Sequence, residues 1–467
     1  MTNLQNHKLE SQARACIESL SNTLNASLLE GRAADRALAT FFKQNRKFGS
    51  RDRRLIRDAV FAVFRWWGWA RQLLPESMAD MDQPGITGRR REISKYNDAQ
   101  LALGESQLAA LLLFADSLEE GEPLPQVEAW AALCNVPFEA VKEAIGNNEP
   151  LEQRGKALSQ LLPDAMPGDT QTPDLSLSEL LPAWAISKIA FPVDLDEAIR
   201  WFQKRPPVWI RIQQVDPDAV AAKLAKQGVN LEFHPRIPSA AHAGVGQRNL
   251  YGLPEFSQGA FEVQDVASQC IGLVCEAQSG EAWWDACAGG GGKSLQLAAV
   301  LGPEGSLLAT DIRKHKLGAL RRRGRRSRLK NINCRLWNGK RPLPGDLHFD
   351  GVLVDAPCTG SGTWRRNPDA RWRAAEQDVD RMAALQQRLL RNAAENVKTG
   401  GKLIYATCSM LPAENHENVE QFLADHPDFQ LESFENPLTG EAVEGMLQIW
   451  PWDADCDAMF VARLRRR

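Results

Sequence analysis

Residues 351–358 read GVLVDAPC, and residues 401–408 read GKLIYATC. Each is a short, mostly apolar run that ends in a cysteine, and such runs are typical of buried parallel strands. Open α/β sheets bind their ligands at the carboxyl ends of the strands. We therefore predict that Cys358 and Cys408 lie together in one crevice of such a sheet.

The chain around these runs alternates between strand-like and helix-like segments. From about residue 261 onward WWDACA, SLLATDI and NCRLW also read as strands, and AMFVARL (458–464) reads as a closing strand. Right-handed crossovers between such strands build a doubly wound parallel sheet. The pattern predicts an α/β fold for this part of the chain.

The first part of the chain has a helical pattern instead. Apolar residues recur at a spacing of three and four within residues 51–74, as an amphipathic helix requires, and Ser50 is the predicted N-cap. The stretch from Glu149 to Ser178 is rich in Pro, Asp, Ser and Thr and is typical of a loose connection. We predict an all-helical domain over 1–145, a linker over 146–180, a small α+β module over 181–260 and the α/β domain over 261–467.

The composition is that of an ordinary globular protein, with 43% hydrophobic and 25% charged residues among 467. The sequence has no apolar run of about 18 residues, and its first residues lack the apolar core of a signal peptide. The nine cysteines are scattered without a metal-type pair. We expect a cytoplasmic monomer with free thiols, no bound metal and no membrane contact.

Basic residues cluster although the net charge is only −3. Residues 313–330 read RKHKLGALRRRGRRSRLK, residues 46–57 form a second cluster, and the chain ends in three arginines. Segregated positive charge suits a protein that binds the phosphates of a nucleic acid. The alternative is a solvated helix face, but three clusters favour RNA or DNA as a partner.

A glycine-rich turn, DACAGGGGKS (285–294), stands between a predicted strand and a predicted helix. Glycines let the backbone approach a ligand closely, and the following helix offers free N–H groups. A P-loop requires glycine five residues before its Gly-Lys pair, where this chain has Cys287, and GxGxxG fails at Ser294. The turn therefore favours a nucleotide-like cofactor over ATP hydrolysis.

Asp311 ends the next predicted strand, about twenty residues beyond the turn. An acidic side chain at this place binds the ribose hydroxyls of a cofactor. The alternative is that Asp311 only caps the following helix. Turn and acid together predict a cofactor that contains adenosine.

Two thiols beside such a cofactor suit the modification of a pyrimidine. Carbon 5 of the ring is a poor nucleophile until a thiolate adds to carbon 6, after which it can attack an electrophilic methyl group. A base must then remove the carbon 5 proton so that the thiolate can leave, and Asp355 is placed to stabilise the adduct through ring nitrogen 3. The alternative for one strand-end cysteine is a buried apolar residue, and a Cys358–Cys408 disulfide is disfavoured in the cytoplasm.

Four motifs, in order, resemble the Sun (Fmu) family of RNA cytosine-5 methyltransferases. They are DACAGGGGK, VDAPCTGSGTWRRNPDARW, YATCSMLPAENHENVEQFL and QIWPWDADCDAMFVARLRR, and the likeness covers roughly residues 180–467. The N-terminal FFKQNRKFGSRDRRLIRDAVFAVFR is similar to the NusB-like RNA-binding domain of the family's ribosomal RNA enzymes. The resemblance implies a class I, Rossmann-like methyltransferase domain, with S-adenosylmethionine as cofactor and an RRM-like α+β module.

The resemblance also implies roles for single residues. Cys408 becomes the nucleophile and Cys358 the thiol that assists product release, with Asp355 and Lys293 in the same catalytic centre. The implied cofactor contacts are Cys287, Ala288, Gly289, Gly290, Gly291, Gly292, Lys293, Asp311, Asn338 and Asp355. Cys287 would act through its backbone. The chain departs from the family pattern at Gly290, where the family usually has Pro, and at Asn338, which stands near the place of an acid.

The implied substrate is a cytidine of structured RNA, and the NusB-like segment favours 16S ribosomal RNA. The alternatives are a transfer RNA cytosine-5 methyltransferase and a ribosome-assembly factor that binds RNA without catalysis. A cytidine must leave its stack to reach the thiols. The residues after the first thiol motif are candidates to support it or are plain helix surface, namely Trp364, Arg365, Arg366, Arg371 and Trp372.

Overall fold

A computed structural model describes residues 3–74, 101, 103–146, 149–162, 175–213, 216–246 and 249–467. These residues form two compact units. One unit comprises the described residues of Met1–Arg205 together with Trp364–Glu376, and the other comprises those of Pro206–Thr363 and Gln377–Arg467. The domain boundaries predicted from the sequence stay a prediction.

The first unit is built from helices around a core of large aromatic side chains. Its helices are α1 (Asn3–Leu24), α2 (Ala34–Gln44), α3 (Ser50–Arg65), α4 (Trp67–Ala70), α5 (Glu105–Leu118), α6 (Val127–Leu133), α7 (Phe138–Ala144), α8 (Leu151–Gln160), α9 (Ala183–Lys188) and α10 (Leu195–Gln203). The N-cap of α3 is Gly49 and not Ser50, because the Asp52 carboxylate accepts the Gly49 N–H at 3.1 Å. Helix α8 lies in the stretch whose composition indicated a loose connection, and residues 163–174 of that stretch lie outside the described residues.

The second unit begins with a small antiparallel sheet. Its strands are β1 (Trp209–Ile212), β2 (Glu232–Phe233), β3 (Ala240–His242) and β4 (Phe261–Val263), in the order β2-β3-β1-β4. Helices α11 (Pro217–Ala225) and α12 (Pro254–Ser257) connect them. The Asp216 side chain caps α11 by accepting the Ala219 N–H at 3.0 Å. This segment is therefore α+β in character.

A larger mixed sheet follows, which has eight strands within the described residues. Its strands are β5 (Ala282–Asp285), β6 (Ser306–Asp311), β7 (Ile332–Leu336), β8 (Phe349–Asp355), β9 (Val397–Thr407), β10 (Phe429–Leu431), β13 (Met446–Ile449) and β14 (Met459–Arg466), while β11 (Phe434–Glu435) and β12 (Ala442–Val443) pair separately. The order is β10-β14-β9-β8-β5-β6-β7, with β13 beside β14. The remaining helices are α13 (Val266–Val274), α14 (Gly292–Leu301), α15 (Lys314–Arg326), α16 (Pro368–Arg373), α17 (Glu376–Ala394), α18 (His416–Asp425) and α19 (Pro451–Ala454).

Apolar side chains cover both faces of this sheet. Trp283 and Leu353 point into the core cluster that contains α13 and α14, whereas their neighbours Trp284 and Val352 point into the cluster that contains α17 and α18. Successive strand residues face opposite sides, so each of these strands must be apolar throughout. The predicted α/β class is confirmed.

The predicted doubly wound parallel sheet is parallel in its centre and antiparallel at one edge. Strands β5 to β9 are parallel, but β14 runs antiparallel to β9, and β10 and β13 run antiparallel to β14. Only residues 450–458 separate β13 from β14. Such a connection is too short for a crossover of a dozen or more residues, so the strands pair antiparallel.

Residues 364–376, which follow the first thiol motif, belong to the helical unit. Trp364, Arg365 and Arg371 are fully buried there, and the Arg371 guanidinium donates to the carbonyls of Leu180 at 2.7 Å and Phe202 at 3.1 Å. Burial lowers the pKa of Arg371 to about 9, with a further effect from the nearby charge of Arg65. Neither interpretation made from the sequence, base support or plain helix surface, fits these three residues.

Among the described residues no helix is both long and apolar enough to span a bilayer. The same residues contain no group of three His, Cys, Asp or Glu side chains placed to hold a metal ion.

Candidate active site

The glycine-rich turn joins the end of β5 to the start of α14. Gly289 and Gly291 have φ angles of 52° and 89°, which glycine adopts without strain. A Cβ atom on Gly291 would lie 2.2 Å from Leu320 Cδ1, so no larger residue fits there. Residues 287–290 are partly exposed. The turn therefore presents an open backbone next to a helix N-terminus.

Asp311 lies beside this turn at the end of β6. Its carboxylate accepts the Gly289 N–H at 2.9 Å, the Arg313 N–H at 2.7 Å and two bonds from the Arg313 guanidinium at 3.0 Å. Burial acts to raise the pKa of Asp311, but Arg313 and the Gly289 N–H outweigh it and hold the pKa below its usual value. The side chain is therefore an ionised acceptor.

The turn and Asp311 offer an open backbone and an ionised carboxylate, groups that suit S-adenosylmethionine, and their contact with it stays a prediction. The carboxylate is joined to the turn, and the Arg313 side chain that covers it is half exposed and can move aside for hydroxyl groups. Arg323 of α15 donates to the Gly290 carbonyl at 2.5 Å, which fixes the turn from the other side. Asp311 does not cap α15, because the N-cap residue is Arg313 and no side chain makes a capping hydrogen bond there; the bond from the Arg313 N–H to Asp311 closes a local turn before the helix.

The two predicted thiols lie together. Cys358 follows β8 and Cys408 follows β9, two neighbouring parallel strands, and their Sγ atoms are 3.4 Å apart. All nine cysteines are free. The hydrogen bond with Cys408 raises the pKa of Cys358 well above its usual value, and burial adds to this effect. Cys358 therefore keeps its proton in this arrangement.

Lys293 and Asp355 form an ion pair in the same crevice. Lys293 projects from the first turn of α14, and its Nζ lies 2.9 Å from Asp355 Oδ2 at the end of β8. Burial acts to lower the pKa of Lys293, but Asp355 outweighs it and raises the pKa, with a further contribution from nearby Cys408. A buried ammonium therefore lies between a carboxylate and the second thiol.

Glu414 joins the two thiol loops, and sequence reasoning assigned it no role. Its buried carboxylate accepts the Thr359 N–H at 2.9 Å, the Thr359 hydroxyl at 2.6 Å, the Gln386 amide at 3.0 Å and the Ser409 hydroxyl. Thr359 follows Cys358 and Ser409 follows Cys408. One side chain therefore fixes the residues next to both sulfur atoms. The only sequence signal was an acid six residues after a strand-end cysteine.

Two predicted residues stand apart from this centre. Asn338 is exposed beyond β7, where its side-chain oxygen accepts the Lys340 N–H at 3.0 Å, and its proposed contact with the cofactor stays a prediction. Cys287 lies at the turn, and burial raises the pKa of its thiol well above the usual value. A protonated thiol suits a residue that acts through its backbone.

Known proteins are similar to this chain in sequence. Residues 273–465 match the family model of the 16S rRNA methyltransferases RsmB/F. The chain is 28% identical over 428 residues to ribosomal RNA small subunit methyltransferase B of Cronobacter sakazakii, which covers 90% of this chain and 92% of the relative. It is 32% identical over 359 residues to the enzyme of the same name from Erwinia tasmaniensis, and this match covers 73% of this chain and 78% of the relative.

Solved structures share the fold. The crystal structure of PH0851 superposes with a TM-score of 0.72 at 25% identity and covers 96% of this chain and 99% of its own. NSun6 from Pyrococcus horikoshii has a TM-score of 0.51 at 16% identity, over 58% of this chain and 94% of its own. This chain therefore belongs to the ribosomal RNA small subunit methyltransferase B (Sun/Fmu) family of S-adenosylmethionine-dependent methyltransferases.

Proposed function

We propose that this protein transfers a methyl group from S-adenosylmethionine to carbon 5 of a cytidine in 16S ribosomal RNA, through a covalent adduct with Cys408. The observation that carries the proposal is the pair of thiols, 3.4 Å apart, at the ends of two parallel strands beside the cofactor turn. The names of the relatives support the RNA. The predicted cytoplasmic location and monomeric state stay predictions.

The proposed reaction begins with the Cys408 thiolate. Its sulfur bonds to carbon 6 of the cytosine, and the electron pair of the 5,6 double bond makes carbon 5 nucleophilic. S-adenosylmethionine, when bound, would supply the methyl group: carbon 5 bonds to the methyl carbon while the methyl–sulfonium bond breaks, which leaves S-adenosylhomocysteine. Removal of the carbon 5 proton restores the double bond and expels the thiolate, which leaves Cys408 as it began.

The electrostatics support Cys408 as the nucleophile and Cys358 as the group that assists release. The Lys293 ammonium lies near Cys408, which contributes to the raised pKa of Lys293. The hydrogen bond between the two sulfur atoms and burial raise the pKa of Cys358, so this thiol keeps its proton. Once Cys408 is bonded to carbon 6 it carries no charge, so the main cause that raises the pKa of Cys358 is gone. Cys358 can then lose its own proton to solvent, and the thiolate that results can take the carbon 5 proton.

Asp355 and Lys293 complete the proposed centre. Asp355 is partly exposed at the end of β8, where its carboxyl group can hydrogen-bond the cytosine ring. Lys293 holds that carboxyl group at 2.9 Å. The pair therefore orients the ring while the thiols react.

The test is methyl transfer from labelled S-adenosylmethionine to unmodified 16S ribosomal RNA, with the product nucleoside identified by mass spectrometry. We expect 5-methylcytidine at one position. Methyl groups on the exocyclic nitrogen or on a ribose would refute the thiol chemistry. Preferential labelling of transfer RNA would favour the alternative substrate, and no labelling of any RNA would favour the assembly factor.

A further inference from the structure

The surface around α15 and β7 is strongly basic in a protein of net negative charge. Residues 312–342 contain thirteen lysines and arginines and no aspartate or glutamate. Three of these cations are bound to acids, since Arg313 pairs with Asp311 while Arg323 and Arg326 both pair with Glu262. The others form what we call the basic face: Lys314, Lys316, Arg321, Arg322, Arg325, Arg328, Lys330, Arg335, Lys340 and Arg341.

Among the described residues, no ion pair neutralises the charges of the basic face. Across the described ranges, with their gaps, no acidic group lies within ion-pairing distance of any of these ten side chains. Nine of the ten are exposed, Lys316 being partly exposed. Solvated helix faces usually carry both signs of charge, whereas uncompensated positive charge attracts polyanions.

The basic face is also held rigidly to the cofactor turn. Leu317 and Leu320 bury the inner side of α15. Arg323 bonds both to Glu262 and to the Gly290 carbonyl, at 2.9 Å and 2.5 Å. The anchoring arginines thus point inward, and the outward side of the helix is left for a partner. The helix backbone that carries the basic face is thus fixed before a partner binds, which lowers the entropic cost of binding.

We propose that the basic face is a docking surface for the phosphate backbone of the same RNA whose cytidine enters the thiol crevice. The proposal rests on the proposed function for the identity of the RNA. Neighbouring strands are about 4.8 Å apart, so β7, which lies four strands from β9, places the basic face about 19 Å from Cys408 across the sheet. The docked phosphates therefore belong to the part of the RNA that lies next to the target cytidine.

The test compares RNA affinity between variants of the full chain. Arg322→Gln/Arg325→Gln removes two exposed charges of the basic face, and Arg322→Lys/Arg325→Lys keeps them. Lys223→Gln/Lys226→Gln is the matched control, since Lys223 is exposed on α11 and Lys226 is exposed at its C-cap, both outside residues 312–342. Filter binding of unmodified 16S ribosomal RNA over a range of KCl concentrations gives Kd and its salt dependence.

We expect the arginine-to-glutamine pair to weaken binding about tenfold and to reduce the slope of log K against log salt by between about 1 and 2, as two lost phosphate contacts require. The lysine pair should bind like the wild type, and so should the α11 control. Unchanged affinity and slope in the arginine-to-glutamine pair would overturn the proposal, as would an equal loss in the α11 control.

Two further outcomes separate this proposal from others. If anionic phosphatidylserine vesicles bind the wild type through Arg322 and Arg325 while RNA affinity is unaffected, the basic face is a lipid surface and the proposal is wrong. If the wild type transfers no methyl group to 16S ribosomal RNA, the proposed function fails, whereas docking is judged from Kd and the salt slope alone.

Discussion

Replacement of Glu414 by glutamine should slow the chemistry without weakening the binding of cofactor. The carboxylate accepts bonds from Thr359, Gln386 and Ser409, and glutamine keeps the shape but loses the charge and one acceptor. A hydrogen bond to a charged group contributes about 1.5–3 kcal/mol and a neutral one about 0.5–1.5 kcal/mol. The Thr359 and Ser409 hydroxyl groups can turn and accept from the glutamine amide, so only the bonds from the Thr359 N–H and the Gln386 amide are weakened. The difference summed over these two bonds is about 2–3 kcal/mol.

The weakened hydrogen bonds are those that hold the residues next to both thiols. A displacement of about 1 Å in a reacting group costs up to about 100-fold in rate, so we expect covalent adduct formation to slow by roughly 10- to 100-fold. The melting temperature should fall by about 5–10 °C, given roughly 2–4 °C per kcal/mol for a unit of this size. Affinity for S-adenosylhomocysteine should stay unchanged, since Glu414 lies outside the glycine-rich turn.

The assay is single-turnover adduct formation, measured well below the melting temperature. Glu417→Gln is the matched control, because it is the same substitution at a residue that is exposed in the first turn of α18. The reasoning is refuted if Glu414→Gln forms adduct within twofold of the wild-type rate. It is also refuted if Glu417→Gln is slowed as strongly.

Two other predictions follow from buried carboxylates. Asp311→Asn should weaken binding of S-adenosylhomocysteine at least about tenfold, as a lost charged acceptor requires. Arg313→Gln should strengthen this binding, because no guanidinium then has to leave the Asp311 carboxylate. Calorimetric titration measures both affinities, and weaker binding by Arg313→Gln would show that Arg313 itself holds the cofactor. Burial raises the pKa of Asp285, which accepts from the Ser294 hydroxyl, to about 7. The folded chain therefore keeps a proton that the unfolded chain has lost above about pH 4, and stability decreases between there and pH 7 by up to a few kcal/mol. Asp285→Asn should flatten that part of the curve of unfolding free energy against pH, and an unchanged slope would contradict the pKa.

The position of the thiols could be predicted from the sequence because it depends on local patterns. An apolar run too short for a helix and followed by Cys358 or Cys408 indicates a parallel strand, and parallel strands end at one edge of the sheet. The glycine turn and Asp311 were found in the same way. These features need no knowledge of distant contacts.

Other features depend on contacts that no local pattern records. Glu414 is linked to Thr359 across 55 positions, so nothing near it in the sequence distinguishes it from exposed Glu417. Trp364 and Arg371 follow a catalytic motif, yet they are buried in the helical unit. The antiparallel edge at β14 is set by the short connection from β13, which a strand pattern alone does not reveal.

The central claim is that Cys408 forms a covalent bond to the RNA and that Cys358 resolves it. The most direct measurement is a denaturing gel of the wild type, Cys358→Ala and Cys408→Ala after incubation with S-adenosylmethionine and unmodified 16S ribosomal RNA. Our account predicts that Cys358→Ala accumulates a slowly migrating protein–RNA adduct and that Cys408→Ala forms none. Adduct in Cys408→Ala but not in Cys358→Ala would exchange the two roles and contradict the account.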